Sequence, residues 1–228
     1  MPLITLQHQE RARAKQQAKE LDMAKAAPRP VFAGIDMART PDRAVIETAL
    51  EADLQLLSER SDVKEKIELK RRLLPKYLPH VKTYREAGEH YPNELLVYCV
   101  IWLLDVEDIE PALELADFAI EQQQHLPERF KRDLPTWVAE TVHDWAERQY
   151  KANQSASPYF EQVLEAVESE RWLVTNVIVR TKLYRLAALY AERNSELESA
   201  AQWLEKAQAV NPEKAGVKTW LNKLRAKL

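Results

Sequence analysis

The chain reads as an all-α protein, and three observations lead there. Ala, Leu, Glu, Lys, Gln and Arg, the residues that lose least on entering a helix, fill most of it. Its 228 residues include only three glycines, Gly34, Gly88 and Gly216, too few for a phosphate-cradling loop or for the many tight turns of a β-sandwich. Apolar residues recur at spacings of three and four along much of the chain, which is the period of one helix face. With 46 % apolar residues there is enough to bury the core of one large domain or two small ones.

Taken in order, residues 1–40 are expected to be a mobile basic arm. Arg11, Arg13, Lys15, Lys19, Lys25 and Arg29 stand among few apolar residues, so little surface can be buried to offset ordering entropy. Thr40-Pro41-Asp42 is a helix start, with Thr40 as cap, Pro41 at the first helical position and Asp42 in the positive first turn. Ile46, Leu50, Leu54 and Leu57 then form one apolar stripe. The polar stretch 58–62 interrupts it, and Asp62 with Glu65 is expected to cap a second helix carrying Val63, Ile67 and Leu74 inward and ending at Pro75. Residues 41–90 are thus expected to be a basic helical hairpin that serves oligomerisation, DNA binding or both.

Beyond it, residues 91–228 read as helix after helix, with starts marked by Pro92, Asp108, Pro135 and Ser157-Pro158, and a capping box formed by Ser195 and Glu198. A short terminal helix includes Trp220 and Leu224. Ala112, Ala116 and Ala119 correspond to Ala200, Leu204 and Ala207, each 88 residues later, and Tyr98 corresponds to Tyr184. The second copy resembles a tetratricopeptide helical hairpin, whose small residues let two helices approach closely and which mostly serves protein binding.

Charge is unevenly spread. Residues 1–85 carry 17 Lys+Arg against 12 Asp+Glu, while residues 86–228 carry 16 against 24 and all six tryptophans. A front facing a polyanion and a packed acidic back are expected from this. The longest apolar run, Leu95 to Leu104, is about half of the ~20 residues a membrane span needs. One cysteine, Cys99, forms no disulfide within the chain, and no secretory signal is evident, so a reducing cytoplasm is expected.

Only one group could carry metal chemistry. Asp105, Glu107, Asp108 and Glu110 form a dense acidic turn, and carboxylates of this kind suit Mg²⁺ in phosphodiester hydrolysis. The competing reading is a helix cap, since Asp108 opens the second helix of a hairpin where a carboxylate meets free N–H groups. His80, His90, His125 and His143 lack metal-ligand spacing, and no serine sits in a nucleophile elbow. Trp137 and Trp145 at helical spacing read as core before they read as base-stacking platforms. Phosphate contacts are assigned to Arg60, Lys64, Lys66, Lys70, Arg71 and Arg72.

The run Leu73-Leu74-Pro75-Lys76-Tyr77-Leu78-Pro79-His80-Val81, followed by Gly88, Trp102, Asp105, Asp108-Ile109, Ala112-Leu113-Glu114 and Ala116, resembles the small terminase subunit of temperate contractile-tailed phages with cohesive-ended genomes. The resemblance covers roughly Val45 to the C-terminus. It implies an oligomer in the host cytoplasm that binds the cohesive-end site of concatemeric double-stranded viral DNA and hands it to the large ATPase subunit, with the portal as a further partner and no membrane. The family is also described as the terminase endonuclease subunit. If that label is literal, the resemblance points to Asp105 and Asp108 as catalytic and to Mg²⁺ as cofactor; otherwise no cofactor is implied. A pure protein-interaction scaffold, without DNA contact, is the third reading.

Overall fold

The computed structural model describes residues 41–228, of which residues 46–228 form one compact unit. The expected basic arm and the Thr40 cap lie outside the described residues. Among those described there are nine α-helices and no strand, so the all-α expectation holds. They are α1 (Pro41–Glu59), α2 (Val63–Glu86), α3 (Glu94–Asp105), α4 (Ile109–Glu121), α5 (Leu134–Lys151), α6 (Tyr159–Glu168), α7 (Val177–Arg193), α8 (Leu197–Val210) and α9 (Lys218–Arg225).

In α1 the expected stripe is turned inward, with Leu50 and Leu57 buried and Ile46 and Leu54 packed against the same core. The polar break then stops the helix, and the Asp62 carboxylate accepts from the backbone N–H groups of Lys64 and Glu65, capping α2 as its spacing predicts.

Pro75 does not end α2. The helix runs through both Pro75 and Pro79 to Glu86. Each proline removes one backbone donor, so the carbonyls of Arg71 and Pro75 lose their usual partners. Both prolines are exposed, where water can take those carbonyls. One turn apart on the opposite side, Leu74, Tyr77, Val81 and Tyr84 are buried. Burial of four large side chains outweighs a penalty of about 3 kcal/mol per interior proline.

The apolar run 95–104 becomes α3, in which every residue from Leu95 to Leu104 is buried. A helix that is apolar all round belongs at the centre of a core, and α3 packs between α2 and α4. Trp102 is 1 % exposed and takes the edge of the Tyr77 ring at a centroid distance of 5.8 Å. The array continues as α4 on α5, α5 on α7, α7 on α8 and α8 on α9, with α6 set against α4 and α5.

The weak repeat marks equivalent packing positions. Ala112, Ala116, Ala119, Ala200, Leu204 and Ala207 are all fully buried, in α4 and α8, each the second helix of a hairpin. Small side chains there let the paired helices close up.

Few glycines suffice because other residues take the left-handed conformation at helix ends. Glu107, Gln123, Asn153, Glu170 and Ser195 all have φ between 53° and 65°. After α3 the N–H of Asp108 reaches back to Leu103 O at 3.0 Å, and after α7 the N–H of Glu196 reaches Ala191 O at 2.9 Å; these are helix-terminating loops of the Schellman kind. The same geometry overturns the expected Ser195 capping box. Ser195 terminates α7, and the capping position of α8 falls to Glu196, with no side-chain cap bond.

Candidate nucleic-acid interface and acidic turn

The cations of α2 do not share one surface. At 100° per residue, Lys64 and Arg71 lie on one face, Lys66 and Lys70 on a second, and Arg72 away from both. The second face adjoins the buried Leu74 and Tyr77. Lys70 accordingly turns toward the core, and its Nζ donates to Asp105 Oδ2 at 2.5 Å, the two side chains being 18 % and 35 % exposed. Arg71 pairs with Glu68 on its own helix. Arg60 donates to the carbonyl of Leu56 at 2.8 Å, closing the end of α1. Lys64 and Arg72 are exposed and Lys66 is half-buried; none of the three makes an ion pair with another described residue.

The structure therefore joins two residues that sequence spacing assigned to different jobs. Lys70 and Asp105 stand 35 positions apart, and no local motif links them. The signal available was the helical wheel, on which Lys70 falls one turn before Leu74 on the inward face and so needs a partner.

The acidic turn disperses its carboxylates instead of converging them. Asp105 takes Lys70 from α2, Glu107 takes Arg148 from α5 at 2.9 Å, and Glu110 Oε2 accepts from the Tyr159 hydroxyl at the start of α6 at 3.4 Å. Partial desolvation, and then the nearby Glu110 and Asp108 carboxylates, hold the Tyr159 phenol above its usual range. Asp108 occupies the capping position of α4 but makes no side-chain cap bond, contrary to expectation. Its backbone ψ of 77° and the commitment of its N–H to Leu103 belong to the preceding loop. Among the described residues, no three His, Cys, Asp or Glu side chains come together to hold a metal ion. The turn acts mechanically as a clasp joining α2, α5 and α6 to the α3–α4 hairpin.

A second carboxylate clasp, absent from the sequence reading, fastens α1. Asp53 Oδ2 accepts from Tyr77 Oη at 2.6 Å and from Lys76 Nζ at 2.7 Å. Burial pushes the Asp53 carboxyl up, but these two hydrogen bonds outweigh it and hold it below the usual range. Burial, then Asp53, pushes the Tyr77 phenol up to about 12. On the far side of α2, Pro75, Leu78, Pro79, Leu103, Pro111 and Leu115 line a groove of about 1000 Å³, and Arg85 bridges to Glu114 at its rim at 2.7 Å.

Cys99 is fully buried and burial pushes its thiol up to about 12. Trp137 stands edge-on to Phe130 and Trp145 beside Tyr159, both half-buried against the core. No helix among the described residues is long and apolar enough to cross a membrane.

Fold and site together define an all-helical scaffold, among the described residues, whose helices are clasped to one another by carboxylates. The phage small terminase subunit family model matches residues 47–173, and the chain belongs to that family. It is 37 % identical over 170 residues to the "Probable terminase, endonuclease subunit" of Haemophilus phage HP1, covering 74 % of this chain and 60 % of that protein. It is 28 % identical over 179 residues to the "Terminase, endonuclease subunit" of Escherichia phage P2, covering 78 % of this chain and 71 % of that one. No solved structure matches the chain. Many of the residues that carry the family resemblance are packing residues: Leu74, Tyr77, Val81, Trp102, Ile109, Ala112, Leu113 and Ala116 are all buried.

Proposed function

We propose that this chain is the small subunit of a phage terminase, which binds the cohesive-end site of concatemeric viral DNA in the host cytoplasm and recruits the large ATPase subunit for packaging and end cutting. Family membership across residues 47–173 is the observation that carries this reading. Residues 41–90 supply phosphate contacts and self-association, and residues 91–228 supply the helical face on which the large subunit or the portal docks. Because Lys70 and Arg71 are engaged by Asp105 and Glu68, the phosphate contacts of α2 fall first to Lys64, Lys66 and Arg72.

The test is a titration of the purified chain against cohesive-end and unrelated duplexes at two salt concentrations with Mg²⁺ present, followed by inspection of the DNA for cuts. Salt-sensitive binding without cuts supports the adaptor reading. Absence of binding at both salts leaves a protein-docking scaffold and defeats the proposal. A second reading, intrinsic cutting, is favoured only by the names of the HP1 and P2 relatives. It requires that Asp105→Ala with Asp108→Ala abolish cleavage without loss of fold, and a wild-type chain that never cuts with Mg²⁺ or Mn²⁺ ends it.

A further inference from the structure

Residues 211–228 reverse the charge of the region that precedes them. Lys214, Lys218, Lys223, Arg225 and Lys227 stand against Glu213 alone, whereas residues 86–210 hold 11 Lys+Arg against 23 Asp+Glu. The structure sorts these five cations. Arg225 pairs with Glu205 and Lys227 with Glu192. Lys214, Lys218 and Lys223 are exposed and make no ion pair with another described residue.

Tertiary structure adds a fourth cation that the sequence places elsewhere. Arg185 of α7 donates from Nη1 to the carbonyl of Ala215 at 3.0 Å. The chain turns at Gly216, at φ +67°, and the Arg185 guanidinium lies 3.4 Å from where a Cβ on Gly216 would stand. Arg185 is itself exposed, so it borders the same turn as Lys214 and Lys218. The base is firm. Ala215, Val217, Leu221 and Leu224 are buried, and Asn211 holds the turn by accepting from Lys214 N and Ala215 N.

We propose that the turn after α8, together with the exposed side of α9, is a second region that contacts the phosphate backbone of duplex DNA, with Lys214 and Lys218 beside Arg185 at the turn and Lys223, about 140° round α9 from Lys218, at the other edge of that exposed side. Exposed lysines on flexible stems suit point contacts to phosphate without sequence readout. The surface keeps as many unengaged cations as α2 does. It rests on the reading that this chain binds DNA, and it extends the contact to the opposite end of the described chain.

The experiment titrates one unrelated duplex with four full-length proteins at about 50 and about 200 mM salt. They are wild type, K214Q/K218Q/K223Q, its charge-keeping counterpart K214R/K218R/K223R, and K64Q/K66Q/R72Q. Loss of three phosphate contacts predicts a fall in affinity of about tenfold or more at the lower salt, and a log–log salt slope shallower by about 2 to 3. The arginine set should bind like wild type, and far-UV circular dichroism should be unchanged in all. Wild-type binding that the glutamine set at 214, 218 and 223 retains in both affinity and slope overturns this inference and leaves the DNA-binding reading standing. That outcome would reassign the surface to an acidic protein partner. A wild type that binds no duplex overturns the DNA-binding reading and the inference with it.

Discussion

Replacing Tyr77 by Phe tests what fastens α1 to the rest of the molecule. The substitution removes one hydroxyl and leaves the ring against Trp102. Asp53, whose side chain is 13 % exposed, then keeps only Lys76, which is 48 % exposed. A hydrogen bond to a charged group in a buried setting is worth about 1.5–3 kcal/mol, while a half-exposed lysine pair is screened to about 0–1 kcal/mol. Tyr77→Phe is therefore expected to cost about 2 kcal/mol and Lys76→Met less than about 1 kcal/mol. For a protein of this size 2 kcal/mol corresponds to about 4–8 °C in Tm.

Urea unfolding of the single and double variants supplies the coupling energy. Tyr77→Phe and Asp53→Ala should be strongly non-additive because they share one bond. The pH dependence follows from the sign of the shift. The folded Asp53 carboxyl lies below its ordinary 3.8, so its contribution is present above that pH and lost as pH falls through the lower folded value. Without the Tyr77 hydroxyl the folded value rises toward 3.8, and less stability is lost below that pH. Lys76→Met costing as much as Tyr77→Phe, or additive singles, would refute the assignment of the Asp53 clasp to Tyr77.

Other outcomes are expected from the same geometry. Asp105→Asn frees Lys70 from its ion pair, so duplex affinity at low salt should rise by about threefold or more and the salt slope steepen by about 0.9; an unchanged slope in a DNA titration counts against Lys70 as a masked phosphate contact. Cys99, fully buried and with its thiol pushed up to about 12, should resist a thiol reagent in the native protein and react fully in denaturant; fast native labelling would show that α3 opens. Trp102→Ala removes the largest fully buried side chain and should cost about 3–5 kcal/mol by chemical denaturation. Pro75→Ala restores a helix hydrogen bond on an exposed face of α2 and should raise stability by about 1–2 kcal/mol, a Tm increase of several degrees; a loss instead would mean that the Pro75 ring contributes packing in the groove.

The parts legible in sequence are those governed by neighbours within a turn or two. Ile46, Leu50, Leu54 and Leu57 announce their buried face by spacing, and Asp62 announces its cap by standing before Glu65. The run from Leu95 to Leu104 announces a central helix because nothing on it can face water. The misreadings share a cause. Pro75 is a helix stop by local chemistry, but Tyr77, Val81 and Tyr84 beyond it need the helix to continue in order to reach the core. Ser195 has a capping hydroxyl, but the end of α7 claims its backbone first.

The candidate site shows the same division. Composition could mark residues 60–72 as basic and residues 105–110 as acidic, and both marks are accurate. Which cations remain available to a ligand depends on partners far along the chain, as Lys70 with Asp105 and Arg148 with Glu107 demonstrate.

An all-helical chain and most of its helix starts are thus legible in one dimension, because helix periodicity, capping and core composition are local or compositional properties, while the family is carried by the particular residues at 73–81 and 102–116. Tertiary structure alone decided which charges are spent within the molecule and which stay free. Ion pairs form between groups brought within about 4 Å by the packing of the helices beneath them, and a one-dimensional pattern does not contain that distance.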